Sequence, residues 1–178
     1  LGLLAAACQK MEHSADPVPP SSYWYCVRCS WNLSLKRKEK WNRVGMLIAT
    51  HGRLGEGLLD AMQMIAGPQE KVDFVSLKEG DSIDELKERI LNTVKMLDDG
   101  SGVLVFVDMF GASPSNAAAY LLNENVEVIT GVNLPMLLEI VSFRESSSLQ
   151  ELSANAMTAG VESIKNLTQL LRASLENS

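Results

Sequence analysis

Beyond residue 43 the chain has no cysteine and no tryptophan, and nowhere in its 178 residues does an apolar run approach the roughly 18 residues that cross a bilayer. Leu3 to Cys8 is a short burst and Val103 to Val107 is strand-sized, so no membrane-spanning helix is expected. There is no Gly-Lys-Ser/Thr P-loop. The glycines of Gly52-Arg-Leu-Gly55-Glu-Gly57 stand in the wrong order for a dinucleotide fingerprint, and nucleotide binding is set aside on both grounds. Repeats and low-complexity tracts are absent. With 46% hydrophobic, 21% charged and 6% aromatic residues, the composition fits one soluble domain rather than collagen, coiled coil or disorder.

The formal net charge of -6 hides a split. Residues 1 to 43 hold 7 Lys/Arg against 3 Asp/Glu, whereas residues 44 to 178 hold 9 against 19, and so acidic a body disfavours nucleic acid as a partner. The first stretch also contains all three Cys (Cys8, Cys26, Cys29), all three Trp (Trp24, Trp31, Trp41) and one of the two His, His13. It has neither helical nor strand periodicity, is broken by Pro17, Pro19 and Pro20, and ends in the basic run 36 to 40. We read it as a tail outside the fold, an over-extended start site or expression artefact. Cys26-Val-Arg-Cys29 is half of a zinc ribbon, but only Cys8 and His13 remain to complete four ligands, at irregular distance, and no metal or other cofactor is expected. Leu4-Ala-Ala-Ala-Cys8 has the look of a lipoprotein cleavage site; with no basic segment before it and too short an apolar run, export is not expected either.

From Val44 onward short apolar runs alternate with 3.6-period stretches, which predicts an α/β fold with a mostly parallel sheet and crossover helices. The strands are read at 44–50, 71–77, 102–108 and 126–130. Leu54, Leu58, Ala61, Met62 and Ile65 share one helical face, ended by Gly67-Pro68. Ile83, Leu86, Ile90, Val94 and Leu97 mark a second helix, opened by a capping box at Ser82-Ile-Asp-Glu85 and closed by Gly100. Ser113-Pro114 reads as the cap and first turn of a third. Two more helices are placed at 134–141 and 149–159, the last ending at Gly160. Val103 to Val107 is apolar on both faces, as an interior strand is, while 71–75 alternates like an edge.

A doubly wound sheet presents ligands outside the carboxyl ends of its strands, where the strand order reverses. In the order 2-1-3-4 that crevice lies between strands one and three, so the residues to inspect are His51-Gly52 and Asp108-Met-Phe-Gly-Ala-Ser113. His51 is the sole histidine of the globular part. A carboxylate accepting from one imidazole nitrogen fixes the tautomer and leaves the other nitrogen with its lone pair, which makes a phosphoryl acceptor or a general base. Each residue has a plainer role to set beside that one: His51 as a polar cap of the first helix, Asp108 as a strand-end carboxylate holding a loop N–H, and Ser113 as a helix cap. The turn from Gly111 leads into a helix N-terminus, whose free N–H groups suit an anion, and Ser113 adds a hydroxyl. Arg53 is read as a solvated charge.

Three stretches in order, 47–52 (Leu-Ile-Ala-Thr-His-Gly), 107–118 (Val-Asp-Met-Phe-Gly-Ala-Ser-Pro-Ser-Asn-Ala-Ala) and 131–139 (Gly-Val-Asn-Leu-Pro-Met-Leu-Leu-Glu), resemble the signatures of the mannose-family enzyme IIA component of the bacterial phosphoenolpyruvate:sugar phosphotransferase system. The resemblance covers residues 44 to about 170. It implies a cytoplasmic phosphocarrier in which His51 takes a phosphoryl group from the histidine phosphocarrier protein and passes it to a IIB component, which serves the membrane IIC/IID complex. By the same matching Asp108 is the partner of His51, and Gly52, Gly111 and Ser113 contact the phosphoryl group. Asn133, Leu134 and Pro135 correspond to a loop near the site. It also implies a homodimer in which an antiparallel edge strand, here residues 161–167, is exchanged between subunits. No IIB part is seen after the IIA stretch, so a separate IIA chain, residues 44–178, is expected. Two rivals are weighed: the phosphoryl-donor subunit of dihydroxyacetone kinase, which departs from the Gly-Ala-Ser-Pro-Ser-Asn pattern, and a Ser113-His51-Asp108 hydrolase, which lacks Gly-x-Ser-x-Gly and has Pro114 where an oxyanion-hole N–H would stand.

Overall fold

Alternation within the strands decides the layering. In the computed structural model of the chain, which describes residues 43–121 and 125–176, β1 (Gly45–His51), β2 (Val72–Leu77), β3 (Val103–Val107) and β4 (Val126–Thr130) form one sheet in the order β2-β1-β3-β4, every pair parallel. Met46, Ile48, Leu104, Phe106 and Ile129 point to one face, where they pack with Met62, Leu137, Ile140 and Leu152. Leu47, Ala49, Val103, Val105 and Val107 point to the other, against Leu86, Ile90, Val94 and Ala117. The result is three layers: α1 (Leu54–Ala66), α4 (Leu134–Phe143) and α5 (Leu149–Glu162) on the first face, α2 (Ile83–Leu97) and α3 (Ser113–Ala119) on the second. A last helix, α6 (Leu167–Glu176), follows. The sequence reading of residues 1 to 42, zinc half-site included, lies outside the described residues. Arg43 donates to Glu70 and Glu145 and so stands with the domain rather than the tail.

Several helix details differ from the sequence expectation. Leu54, Ile65 and Ile83 are 48%, 63% and 49% exposed, because the buried stripes are centred on Gly55 and Met62 in α1 and on Leu86, Ile90 and Val94 in α2. At Ser82 just the serine half of the capping box forms, its hydroxyl accepting from the Asp84 N–H; the reciprocal box sits at Ser148 and Glu151, opening α5. Ala112, not Ser113, holds the N-cap position of α3, and Pro114 follows inside the first turn. Gly160 does not end α5. A Cβ at that position would run into the Met136 side chain, so the glycine serves a close helix–helix approach, and the helix continues to Glu162 with Ser163 Oγ donating to the Gly160 carbonyl at 2.7 Å.

Residues 161–167 are therefore not a strand in the single chain: they are the end of α5, a short connection and the start of α6. The described sheet is wholly parallel. Arg144, directly after α4, is 1% exposed. Its guanidinium donates to the carbonyls of Val44 (3.4 Å), Lys71 (3.5 Å) and Glu70 (2.7 Å) and to Gln69 Oε1 (3.0 Å), tying the amino ends of β1 and β2 together.

Candidate functional site

The carboxyl ends of β1 and β3 lie side by side at the point where strand order reverses, and His51 and Asp108 stand there. His51 closes β1. Asp108 Oδ2 accepts both from the His51 backbone N–H at 2.9 Å and from ring Nδ1 at 2.8 Å, while Oδ1 accepts from the Met109 N–H at 3.0 Å. With an ionised carboxylate on Nδ1, that nitrogen carries the proton and Nε2 keeps its lone pair. The imidazole is 44% exposed and the carboxylate side chain 14%, so an accessible nucleophile is backed by a half-sheltered anchor. Burial pushes the Asp108 carboxyl up; the hydrogen bonds from the His51 N–H and ring and from Met109 outweigh it and hold the group below the usual carboxylate value.

Two glycines shape the loops. Gly52 has φ +55° and donates to the Leu77 carbonyl at 2.8 Å, which turns the chain sharply after His51 and pins the turn to β2. Gly111 has φ +77°; its N–H donates to Ser115 Oγ at 3.2 Å and its carbonyl accepts from Asn116 Nδ2 at 3.2 Å. Ser115 and Asn116 thus fix the loop between Asp108 and α3. Their signal in the sequence was the polar pair following Pro114. Ser113, the first residue of α3, makes no cap bond, and its hydroxyl has no hydrogen-bond partner among the described residues. It is not bonded to His51, and a Ser-His-Asp relay is not assembled.

Thr50 was not anticipated. It is fully buried, and its Oγ1 accepts from the Gly55 N–H in the first turn of α1 at 2.7 Å. Arg53 is exposed and paired with Glu56 (2.9 Å), as a solvated charge on the first turn of a helix often is. The loop 131–135 leaves β4 at the same end of the sheet, the Val132 N–H donating to the Val107 carbonyl at 3.1 Å. Asn133 caps α4 through the Met136 N–H and donates to the Gly160 carbonyl at 3.3 Å; Leu134 packs on the core and Pro135 is exposed. None of the three is hydrogen-bonded to His51 or Asp108. Met109 and Phe110, 58% and 84% exposed, follow Asp108 and form an apolar rim that sequence reasoning passed over. Among the described residues no cluster of His, Cys, Asp and Glu could hold a metal, and no helix is long and apolar enough to cross a membrane.

Replacing Asp108 by Asn is expected to slow any reaction at Nε2 of His51 by roughly 10- to 100-fold, since an amide fixes neither the tautomer nor the ring charge as a carboxylate does. A pH signature accompanies it. Because the folded pKa of Asp108 lies below the unfolded value of about 3.9, the stability this group supplies is fully present above about pH 4 and is lost as pH falls through the folded pKa. Urea unfolding should therefore find Asp108→Asn less stable than the wild type at pH 7 and the gap closing below pH 4; a gap constant with pH would count against the contact.

A family described as EIIA-man, PTS system fructose IIA component, matches residues 45–157. The mannose-specific EIIAB component of the phosphotransferase system of Escherichia coli K12 is 39% identical over 127 residues, 70% of this chain and 39% of the relative, so the chain spans well under half the length of that protein. The fructose-specific EIIA component of Bacillus subtilis is 32% identical, over 68% of this chain and 85% of the relative. Among solved structures, a phosphotransferase system component EIIA from Streptococcus agalactiae superposes with a TM-score of 0.66 at 27% identity, covering 71% of this chain and 98% of that one. A PTS IIA protein associated with the fucose utilization operon of Streptococcus pneumoniae superposes at 0.63 and 32% identity, covering 72% and 96%.

Proposed function

The chain belongs to the EIIA-man family of phosphotransferase-system IIA components, and from that premise we propose that it is a sugar-system phosphocarrier whose phosphoryl group rides on Nε2 of His51. The observation that carries the reading is the Asp108 to Nδ1 contact of 2.8 Å, which commits one ring nitrogen and leaves the other free and exposed. In the step itself the Nε2 lone pair forms a bond to phosphorus as the donor's N–P bond breaks, and the departing donor imidazole keeps that electron pair. The proton on Nδ1 stays in place, and Asp108 offsets the positive charge that develops on the ring. Such in-line transfer asks mainly for positioning and charge stabilisation, and needs no metal. Ser113, with a hydroxyl not spent on a protein partner, and the two loops turned by Gly52 and by Gly111 receive the phosphoryl oxygens. The donor is the histidine phosphocarrier protein and the acceptor a IIB component, working with a membrane IIC/IID complex. Incubation with phosphoenolpyruvate, enzyme I and the phosphocarrier protein should give an acid-labile, base-stable label. A label that survives acid would overturn the reading.

The same membership supports a homodimer in which the segment 161–167 is exchanged. Val161, Ile164 and Leu167, 70%, 76% and 67% exposed in the isolated chain, give it an apolar surface to bury, and Leu170, Leu171 and Leu175 extend that surface along α6. Pairing with a sheet edge of the second chain requires these residues to leave the conformation they hold alone. A chain cut after Ser163, which keeps the α5 cap, should sediment as a monomer where the full chain sediments as a dimer at micromolar concentration. Monomeric full-length protein would refute the exchange.

A further inference from the structure

We infer that Thr50 is a positioning residue for His51, acting by fastening the start of α1 to the last buried residue of β1; this rests on the phosphocarrier reading of His51. Two residues, Gly52 and Arg53, separate the end of β1 from the start of α1. The first N–H groups of a helix have no partner within it, and a side chain at the N-cap position ordinarily supplies one. Here Arg53 occupies that position with φ -95° and ψ 11° and makes no cap bond. The acceptor comes instead from across the turn: Thr50 Oγ1 takes the Gly55 N–H at 2.7 Å.

This contact is built into the packing. Thr50 is 0% exposed, and its branched side chain has few rotamers open to it inside a strand. Gly55 lets the helix come close: a Cβ there would stand 3.0 Å from Thr50 Oγ1 and 3.2 Å from the Ile48 carbonyl. His51 is thereby held from two sides. Asp108, directly after β3, fixes its N–H and its ring, and Thr50 fixes the turn that follows, so the path from the last strand residue into α1 is set. The bond also uses one of the free N–H groups of α1, so the first turn of α1 serves the geometry of the turn as well as any anion near it. Transfer between two imidazoles is sensitive to displacement of the acceptor by less than an ångström, which is why a residue that never touches phosphorus can govern its rate.

The full chain, as wild type, Thr50→Val, Thr50→Ala and Thr50→Ser, is to be assayed for transfer from the phosphorylated histidine phosphocarrier protein, with hydrogen exchange followed at the Gly55 amide. Expected is a protected Gly55 amide in the wild type and in Thr50→Ser. Loss of the hydroxyl should lower kcat roughly tenfold with KM for the donor unchanged, and Thr50→Ser should restore kcat to within about twofold. Thr50→Ala carries the same expectation and covers the case in which buried valine prevents folding. Wild-type kcat in folded Thr50→Val or Thr50→Ala, an unprotected Gly55 amide in the wild type, or equal loss in Thr50→Ser would overturn the inference. Failure of wild-type His51 to take label would instead overturn the phosphocarrier reading, while the Gly55 exchange result stands apart from it.

Discussion

With His51 replaced by glutamine, the chain takes up no acid-labile phosphoryl label, whereas His13→Gln labels as the wild type does. Both results are expected from the placement of the two histidines. His51 is the one histidine among the described residues; it ends β1 at the reversal of strand order, and its ring is oriented by Asp108. His13 lies in the stretch 1 to 43 that the sequence sets outside the fold, away from the family motifs around His51. Glutamine offers no nitrogen nucleophile, so the effect on transfer is a complete loss rather than a slowing. The fold should tolerate the change. The side chain is 44% exposed, and what disappears is one hydrogen bond to a carboxylate that still accepts from the backbone N–H of residue 51 and from Met109. A cost of about 1 kcal/mol, or a few degrees in Tm, follows from those remaining bonds. Label persisting in His51→Gln, or vanishing in His13→Gln, would move the phosphoryl site elsewhere.

The site's core was legible in the sequence because it depends on strand ends. An apolar run such as Val103 to Val107 ends unmistakably at Asp108, and the rule that parallel sheets present their chemistry at a reversal of order then brings Asp108 next to His51. The strand order expected was the common doubly wound one, and the sheet has it, with β2 at an edge and the fully buried β3 inside. The family motifs then turned a pair of residues into a reading of function, and membership of the EIIA-man family favours that reading over the kinase subunit and the hydrolase.

What escaped the sequence depends on approach between elements distant in the chain or on competition for a few N–H groups. Gly160 read as a helix stop because glycine is poor inside helices, but the Met136 side chain, twenty-four residues earlier, occupies the space a Cβ would need. Ser113 read as a cap, yet Ala112 takes the non-helical position and leaves the serine within the first turn. Thr50 was only the last residue of the strand read at 44–50; its partner is an N–H of the next element, and nothing in composition marks it. The segment 161–167 is equivocal for a physical reason: a single chain gives its ends to two helices and leaves 163–166 as a connection, while a strand there would need the edge of another sheet.

Arg144 was silent for a related reason, and its removal should have the largest effect on stability. A lone arginine after the last turn of a helix ordinarily reads as a solvated charge that complements the helix dipole. Here it is 1% exposed, with four acceptors for its guanidinium: the carbonyls of Val44, Lys71 and Glu70, and Gln69 Oε1. Burial, assisted by the nearby charge of Arg43, holds its pKa down to about 10 against the opposing pull of Glu145 and Glu70, so the group remains charged at neutral pH and its bonds are charge-assisted. Arg144→Met keeps the apolar stem and much of the volume but strands these acceptors, for a loss of roughly 3 kcal/mol and about 10 °C in Tm. Arg144→Lys should recover part of that, because an ammonium keeps the charge yet cannot reproduce the planar fork. The sign of the pH dependence follows from the depressed pKa. Folding disfavours the charged form of a base whose pKa is lowered, so stability can rise only as pH climbs through the folded value near 10, and the difference between Arg144→Met and wild type should be flat from pH 6 to 8. Since these contacts gather the amino ends of β1 and β2, opposite to His51, the folded variant should still accept phosphoryl at close to the wild-type rate. Calorimetry beside the labelling assay separates the two effects: an unchanged Tm in Arg144→Met would deny the staple, and a transfer rate that collapses while the protein remains folded would deny its independence from the site.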